Sequence, residues 1–113
     1  MPFAVDREER GLYYLISFHG EFTVKALTQL RSVVEEALET GHIYIALDLS
    51  KTTFMDSSGM GLLSNLNQKL VSRGGSLFLI APTATLRVLL QPTGILESIP
   101  CLNSLEEADS QIG

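Results

Sequence analysis

The stretch Phe54-Met55-Asp56-Ser57-Ser58-Gly59-Met60-Gly61 constrains the fold more than any other, because it must turn an apolar strand into an amphipathic helix. Upstream, Ile43 to Leu49 is almost continuously apolar, the pattern of a strand covered on both faces or central in a sheet. Downstream, Leu63, Leu66 and Leu70 recur at helical spacing. Two hydroxyls and a carboxylate therefore stand where a helix begins and its first N–H groups lack intrahelical partners. A helix N-terminus tolerates added negative charge, so a phosphate placed there need not unfold the domain beneath it.

The rest of the chain supplies a partner for each face of that strand. Phe3 to Asp6 reads as a short first strand, Glu8-Glu9-Arg10-Gly11 as a turn, and Tyr13 to Phe18 as a second strand. Leu27, Leu30, Val34, Ala37 and Leu38 form one stripe, so Lys25 to Glu39 is expected to be helical, with Gly41 ending it. The second helix opens at Ser57 or Ser58 and stops at Gly74-Gly75. Ser76 to Ala81 is a further strand, Pro82-Thr83 starts a short helix, Ser98 to Cys101 is a last short strand, and Leu105 to Gln111 a terminal helix. Two strands followed by alternating helix and strand specify an α/β fold over residues 1–113, one domain with a mixed sheet of about four to five strands and about four helices.

Composition excludes several functions. A net charge of −5 gives no basic stripe, so no nucleic-acid partner is expected. No apolar run reaches the roughly 18 residues that span a bilayer, and no basic-then-apolar leader opens the chain; direct membrane insertion is not expected, and the cytoplasm is the default location. Cys101 is alone, and His19 and His42 lack neighbours at ligand spacing, so neither a disulfide nor a metal site is expected.

At the polar corner the plain reading is capping, by Asp56 or by a serine, and one serine can cap while the other stays free to react. A catalytic serine fails: Met55 and Asp56 stand where the nucleophile elbow needs glycine, and no histidine is placed beside the turn. Gly59-x-Gly61 lacks both the lysine of a P-loop and the third glycine of a dinucleotide motif, so the glycines are read as allowing close approach. No cofactor and no enzymatic activity follow. Asp48 is expected to hold a hydroxyl or amide near the sheet's end. Of Met55, Met60, Leu62 and Leu63 some must be core, and Met60 or Leu62 exposed beside Ser57 would make a small docking patch.

Leu47-Asp48-Leu49-Ser50, the corner through Leu63, Gly20-Glu21-Phe22, Gly74-Gly75-Ser76-Leu77 and Thr93-Gly94-Ile95 together resemble a STAS domain, most closely the bacterial anti-sigma factor antagonist group. The resemblance implies a partner-switching regulator of transcription. Unphosphorylated, such an antagonist binds an anti-sigma factor that is also a serine kinase. The kinase uses Mg-ATP to phosphorylate the serine after the aspartate, here Ser57, and the phosphorylated form is released until a serine phosphatase restores it. The implied partner surface is Thr23, Asp56, Ser57, Ser58, Gly59, Met60, Gly61 and Leu62. Thr23 stands where many antagonists carry an aspartate; it is expected to cap the following helix without supplying charge. Thr52, Thr53 and Ser58 are alternative acceptors. A second implied role is a scaffold subunit of a membrane transport complex, for example in lipid transport, without a phosphorylation switch.

Overall fold

The structure, a computed structural model, describes residues 2–113. Its five strands lie in the order β1-β2-β3-β4-β5: β1 Phe3–Arg10, β2 Tyr13–Phe22, β3 Tyr44–Met55, β4 Ser76–Ile80 and β5 Cys101–Leu102. β1 is antiparallel to β2, and every other pairing is parallel. The crossovers are α1 (Leu27–Glu39, entered through a 3-10 turn at Val24–Ala26), α2 (Ser57–Ser72), α3 (Ala84–Leu90) and α4 (Ile95–Ser98). α5 (Leu105–Ile112) closes the chain. The expected mixed α/β sheet is present.

The two faces of the sheet are covered unequally. Tyr14, Ile16 and Phe18 of β2 and Ile45, Leu47 and Leu49 of β3 point into the main core, which α1 to α4 cover. Strand alternation sends Tyr13, Leu15 and Ala46 to the other face. There, with Ile80 and Leu102, they meet only α5 through Ala108. The near-continuous apolar run of β3 follows from this double covering.

Four boundaries differ from the sequence reading, one being β2, which runs past the expected Phe18 to Phe22. β1 continues through Glu8, Glu9 and Arg10, which pair with Leu15, Tyr14 and Tyr13, so the turn is confined to Gly11-Leu12. Their charge belongs to an edge strand. The residues Ile95–Ser98 form one helical turn, and the last strand is Cys101–Leu102. β3 runs six residues past Leu49, to Met55, with register shifts against β2 between Ser17 and His19 and between Gly20 and Glu21. At the first shift Asp48 Oδ1 accepts the Ser50 N–H at 2.9 Å, the amide partner expected for it. Beyond it the Thr52 hydroxyl, 1% exposed, donates to the Phe18 carbonyl at 2.9 Å and carries the strand pair across the irregularity. Thr52 is therefore not an accessible acceptor, whereas Thr53 is exposed.

α5 is held by one polar cluster. Asp109 accepts from Arg10 (Nη2 to Oδ2, 2.6 Å) and from the Tyr13 hydroxyl (2.6 Å). The Arg10 hydrogen bonds, reinforced by Tyr13, hold the Asp109 carboxyl down at about 2. Burial, with Asp109 alongside, pushes the Tyr13 hydroxyl up to about 12.

Two outcomes follow from these contacts. Thr52→Val, which keeps the shape and deletes the donor, should cost about 1–2 kcal/mol in chemical denaturation, while Thr53→Val should change little. For α5 the sign is set by the two shifts. The stabilisation from Asp109, depressed below its unfolded value of about 4, is present above that pH and lost as pH falls toward 2. The stabilisation from Tyr13, raised above its unfolded value of about 10, is lost as pH climbs toward 12. Amide exchange in α5 should accelerate at both extremes before it does in β3.

Candidate functional site

The polar corner sits where the C-terminal ends of β2 and β3 meet the start of α2. Asp56 is the cap residue of α2, extended at φ −90°, ψ 179°, and its Oδ1 accepts the Gly59 N–H at 2.9 Å. Its own N–H donates to the Phe22 carbonyl at 3.2 Å, and its carbonyl accepts the Met60 N–H at 3.1 Å. One residue thus joins β2, β3 and α2. The capping left open between Asp56 and the serines falls to Asp56, which places Ser57 and Ser58 in the first helical turn. Ser57 is exposed and Ser58 half-buried. Among the described residues no hydrogen-bond partner engages either hydroxyl.

The two glycines of the corner do different things. A Cβ on Gly59 would stand 2.7 Å from Phe22 Cδ1, 2.8 Å from Met55 Cγ and 2.9 Å from the Phe22 carbonyl oxygen. Gly59 therefore lets α2 start hard against the strand ends, and it is buried rather than presented to a partner. A Cβ on Gly61 would meet nothing within 4 Å, and Gly61 is exposed.

The apolar residues also divide. Met55 (1% exposed), Leu62 (2%) and Leu63 (0%) are core. Leu62 thus leaves the expected docking patch, because the rotation of α2 that exposes Ser57 and Gly61 turns position 62 inward. Met60 remains half-exposed and packs at the edge of the core. Two residues not singled out in the sequence join it at this end of the sheet: Phe54, 42% exposed, and Val24, 61% exposed. Phe54 was legible through alternation beside buried Met55. Val24 follows Thr23, which is half-buried and occupies the cap position of the 3-10 turn. The Thr23 side chain makes no capping bond; only its carbonyl is used, by the Ala26 N–H at 2.9 Å.

The corner thus combines a free hydroxyl, a cap that does not depend on it, and exposed apolar side chains. Residues 4–108 match the STAS domain profile. The chain belongs to the STAS domain family. It is 32% identical over 82 residues to an anti-sigma F factor antagonist of Lysinibacillus sphaericus, an overlap covering 72% of this chain and 70% of that protein. Among solved structures it is similar to the Bacillus cell fate determinant SpoIIAA in its phosphorylated form, with a TM-score of 0.78 and 27% identity, covering 97% of this chain and 100% of that one. An anti-sigma factor antagonist from Mycobacterium paratuberculosis superposes with a TM-score of 0.86 at 20% identity, over 98% and 94% of the two chains, which shows the shared fold. Among the described residues of this STAS domain no group of three or more His, Cys, Asp and Glu side chains is placed to hold a metal, and no helix is long and apolar enough to cross a membrane.

The geometry separates the two glycines experimentally. Gly59→Ala should destabilise by about 1–2 kcal/mol, since the clash with a backbone carbonyl outweighs the gain in helix propensity. Gly61→Ala should stabilise by up to about 1 kcal/mol. Thermal or urea unfolding of both variants checks this.

Proposed function

We propose that this STAS domain is an anti-sigma factor antagonist that docks through the start of α2 and is switched by phosphorylation of Ser57. The observation that carries the reading is the Ser57 hydroxyl, exposed and unpartnered beside a cap formed by Asp56, in a chain that resembles an anti-sigma F factor antagonist. The partner is an anti-sigma factor with serine kinase activity. In the transfer step, Ser57 Oγ forms a bond to the γ-phosphorus of Mg-ATP. The bond from that phosphorus to the β–γ bridging oxygen breaks, ADP leaves, and the hydroxyl proton passes to a base on the kinase. On this reading Asp56 serves as the cap, its Oδ1 accepting the Gly59 amide, and the base belongs to the kinase. A serine phosphatase restores the hydroxyl by hydrolysis: water attacks the phosphorus, the bond to Ser57 Oγ breaks, and inorganic phosphate leaves.

The docking surface on this reading is Ser57, Ser58, Met60 and Gly61, with Thr23, Phe54 and Val24 at its margin; Asp56, Gly59 and Leu62 shape it from beneath. Gly61, with open space where a side chain would be, admits close approach of the partner. Phosphorylation adds about −1.5 to −2 charges next to Asp56. Within this chain the charge meets a helix N-terminus and is accommodated. Against a partner surface fitted to a neutral hydroxyl it brings bulk, desolvation and repulsion, and every 1.4 kcal/mol of these is about tenfold in affinity.

Ser57→Ala, Ser57→Asp and wild type, each used to capture partners from native lysate, test the reading. Because Asp56 does the capping, Ser57→Ala should leave stability within about 0.5 kcal/mol of wild type. Wild type and Ser57→Ala should retain an ATP-binding serine kinase, Ser57→Asp should lose it by about tenfold or more, and only wild type should gain a phosphate by intact mass. Gly61→Ala should bind less well despite its higher stability. Equal capture of one partner by all three baits would make Ser57 a bystander.

A further inference from the structure

We infer that the free edge of β1 is a self-complementary surface on which a second copy of this chain docks, its strand antiparallel and centred on Glu8. β1 is bonded on one side only, to β2, and it forms one edge of the sheet; the other edge strand, β5, has only two residues. An edge of eight residues leaves a row of backbone donors and acceptors without partners in the sheet. Asp6, Arg7, Glu8 and Glu9 on it are all exposed.

Charge on an edge strand ordinarily guards it against pairing. Whether it does so here depends on register. Two copies of one strand paired antiparallel about a two-fold axis keep each residue on its own face of the sheet, so residues directly opposite must be an even number of positions apart and the axis must pass through a residue. An axis at Asp6 opposes Asp6 to itself and gains no charge pair. An axis at Arg7 opposes Arg7 to itself and Asp6 to Glu8 twice. An axis at Glu9 opposes Glu9 to itself, sets Glu8 against the partner's Arg10 twice, and leaves Arg7 against Gly11. The axis at Glu8 alone sets Arg7 against the partner's Glu9 and Asp6 against the partner's Arg10, each twice, with a single like pair at the centre. Opposite charges directly across a strand pair attract and like charges repel, so the register at Glu8, with four opposite pairs against two at Glu9 and none at Asp6 or Arg7, is the one the charge pattern favours.

The central Glu8 pair is also softened, because Arg10 Nη1 of the same chain already donates to Glu8 at 3.0 Å. The other neighbours leave room for this: Arg7 lies 3.3 Å from Glu36, Asp6 3.4 Å from His19, and Glu9 3.7 Å from His42, while Arg10 keeps Nε and Nη2 on Asp109 and shares Nη1 between Glu8 and the partner's Asp6. The paired segment, residues 6–10, lies opposite Tyr13 to Ser17 of β2, at the end of the strand away from Phe22 and the start of α2. A dimer formed this way leaves both Ser57 corners uncovered, and the inference stands whether or not Ser57 is a phosphoacceptor.

Sedimentation equilibrium of the full chain, at about 0.05 M and about 0.5 M salt, reads the association, which should weaken by about tenfold between the two as the charge pairs are screened. Glu9→Arg should abolish dimerisation, and adding Arg7→Glu to it should restore it, since the exchanged pair is again complementary. In a Cys101→Ser background, Glu8→Cys should oxidise to a disulfide-linked dimer, because residue 8 meets its own copy at the axis, while Asp6→Cys, which faces residue 10 of the partner, should not. Circular dichroism confirms that each variant is folded. A chain that stays monomeric to about 1 mM at low salt, a dimer indifferent to Glu9→Arg, or preferential cross-linking through Asp6→Cys would overturn the inference.

Discussion

Everything the corner does depends on how closely α2 begins against the ends of β2 and β3. The Asp56 N–H reaches the Phe22 carbonyl, the Asp56 carboxylate reaches the Gly59 amide, and Gly59 lies where even a methyl group would strike Phe22 and Met55. These contacts use backbone groups, one carboxylate and the absence of a side chain. None uses a serine hydroxyl. The helix start is therefore fixed before Ser57 is considered, and the hydroxyl is left over at a position the fold defines but does not need.

That arrangement rests in turn on an uneven sheet. A single α/β layer with α1 to α4 on one face and only α5 on the other buries its large side chains on one side, and the strand ends carrying the corner are anchored there by Phe18, Phe22 and Met55. Phe18 and Phe22 meet at a tilt of 30° with ring centroids 4.5 Å apart, and Phe3 stacks on Phe18 at 5.6 Å. The aromatic column ties β1 and β2 together just below the site. α5 contributes a smaller cluster, and its attachment relies on Arg10 and Tyr13 meeting Asp109 across nearly the whole length of the chain. Its docking therefore depends on the ionisation of Asp109 and Tyr13 in a way that the main core does not.

The parts legible in the sequence were those governed by periodicity. The helical stripes of α1 and α2 and the apolar run of β3 appear as their residues predict. What stayed hidden had physical reasons. β3 beyond Leu49 passes through Ser50-Lys51-Thr52-Thr53, which reads as loop, because two register shifts break the alternation and the decisive contact is a hydroxyl bonded to a backbone carbonyl 34 positions away. β1 beyond Asp6 reads as a turn, because an edge strand carries the charges that turns also favour. At the corner, residue types narrowed the cap to Asp56 or a serine, and only geometry assigned it to Asp56. Leu62 was misplaced for a different reason: it lies four residues before Leu66 on the buried stripe of α2, and that stripe, which sets the phase of the helix, turns position 62 to the core.

The same phase gives the proposed switch its economy. A charge of about −2 near a helix N-terminus changes the stability of its own chain by about 0.3–1 kcal/mol, and in the favourable direction. Against a total of about 5–15 kcal/mol for a domain of this kind, that is small. At an interface the reference is different, because the partner must desolvate the phosphate and place its own groups against it, and a loss of only about 3 kcal/mol is more than a hundredfold in affinity. One modification is thus nearly silent within the fold and decisive outside it, provided the modified group takes no part in holding the helix start. Had Ser57 been the cap, phosphorylation would have had to break and remake the first turn, and release of the partner would have been coupled to local unfolding. With Asp56 in that role, the binding surface changes its charge while the backbone that presents it stays fixed.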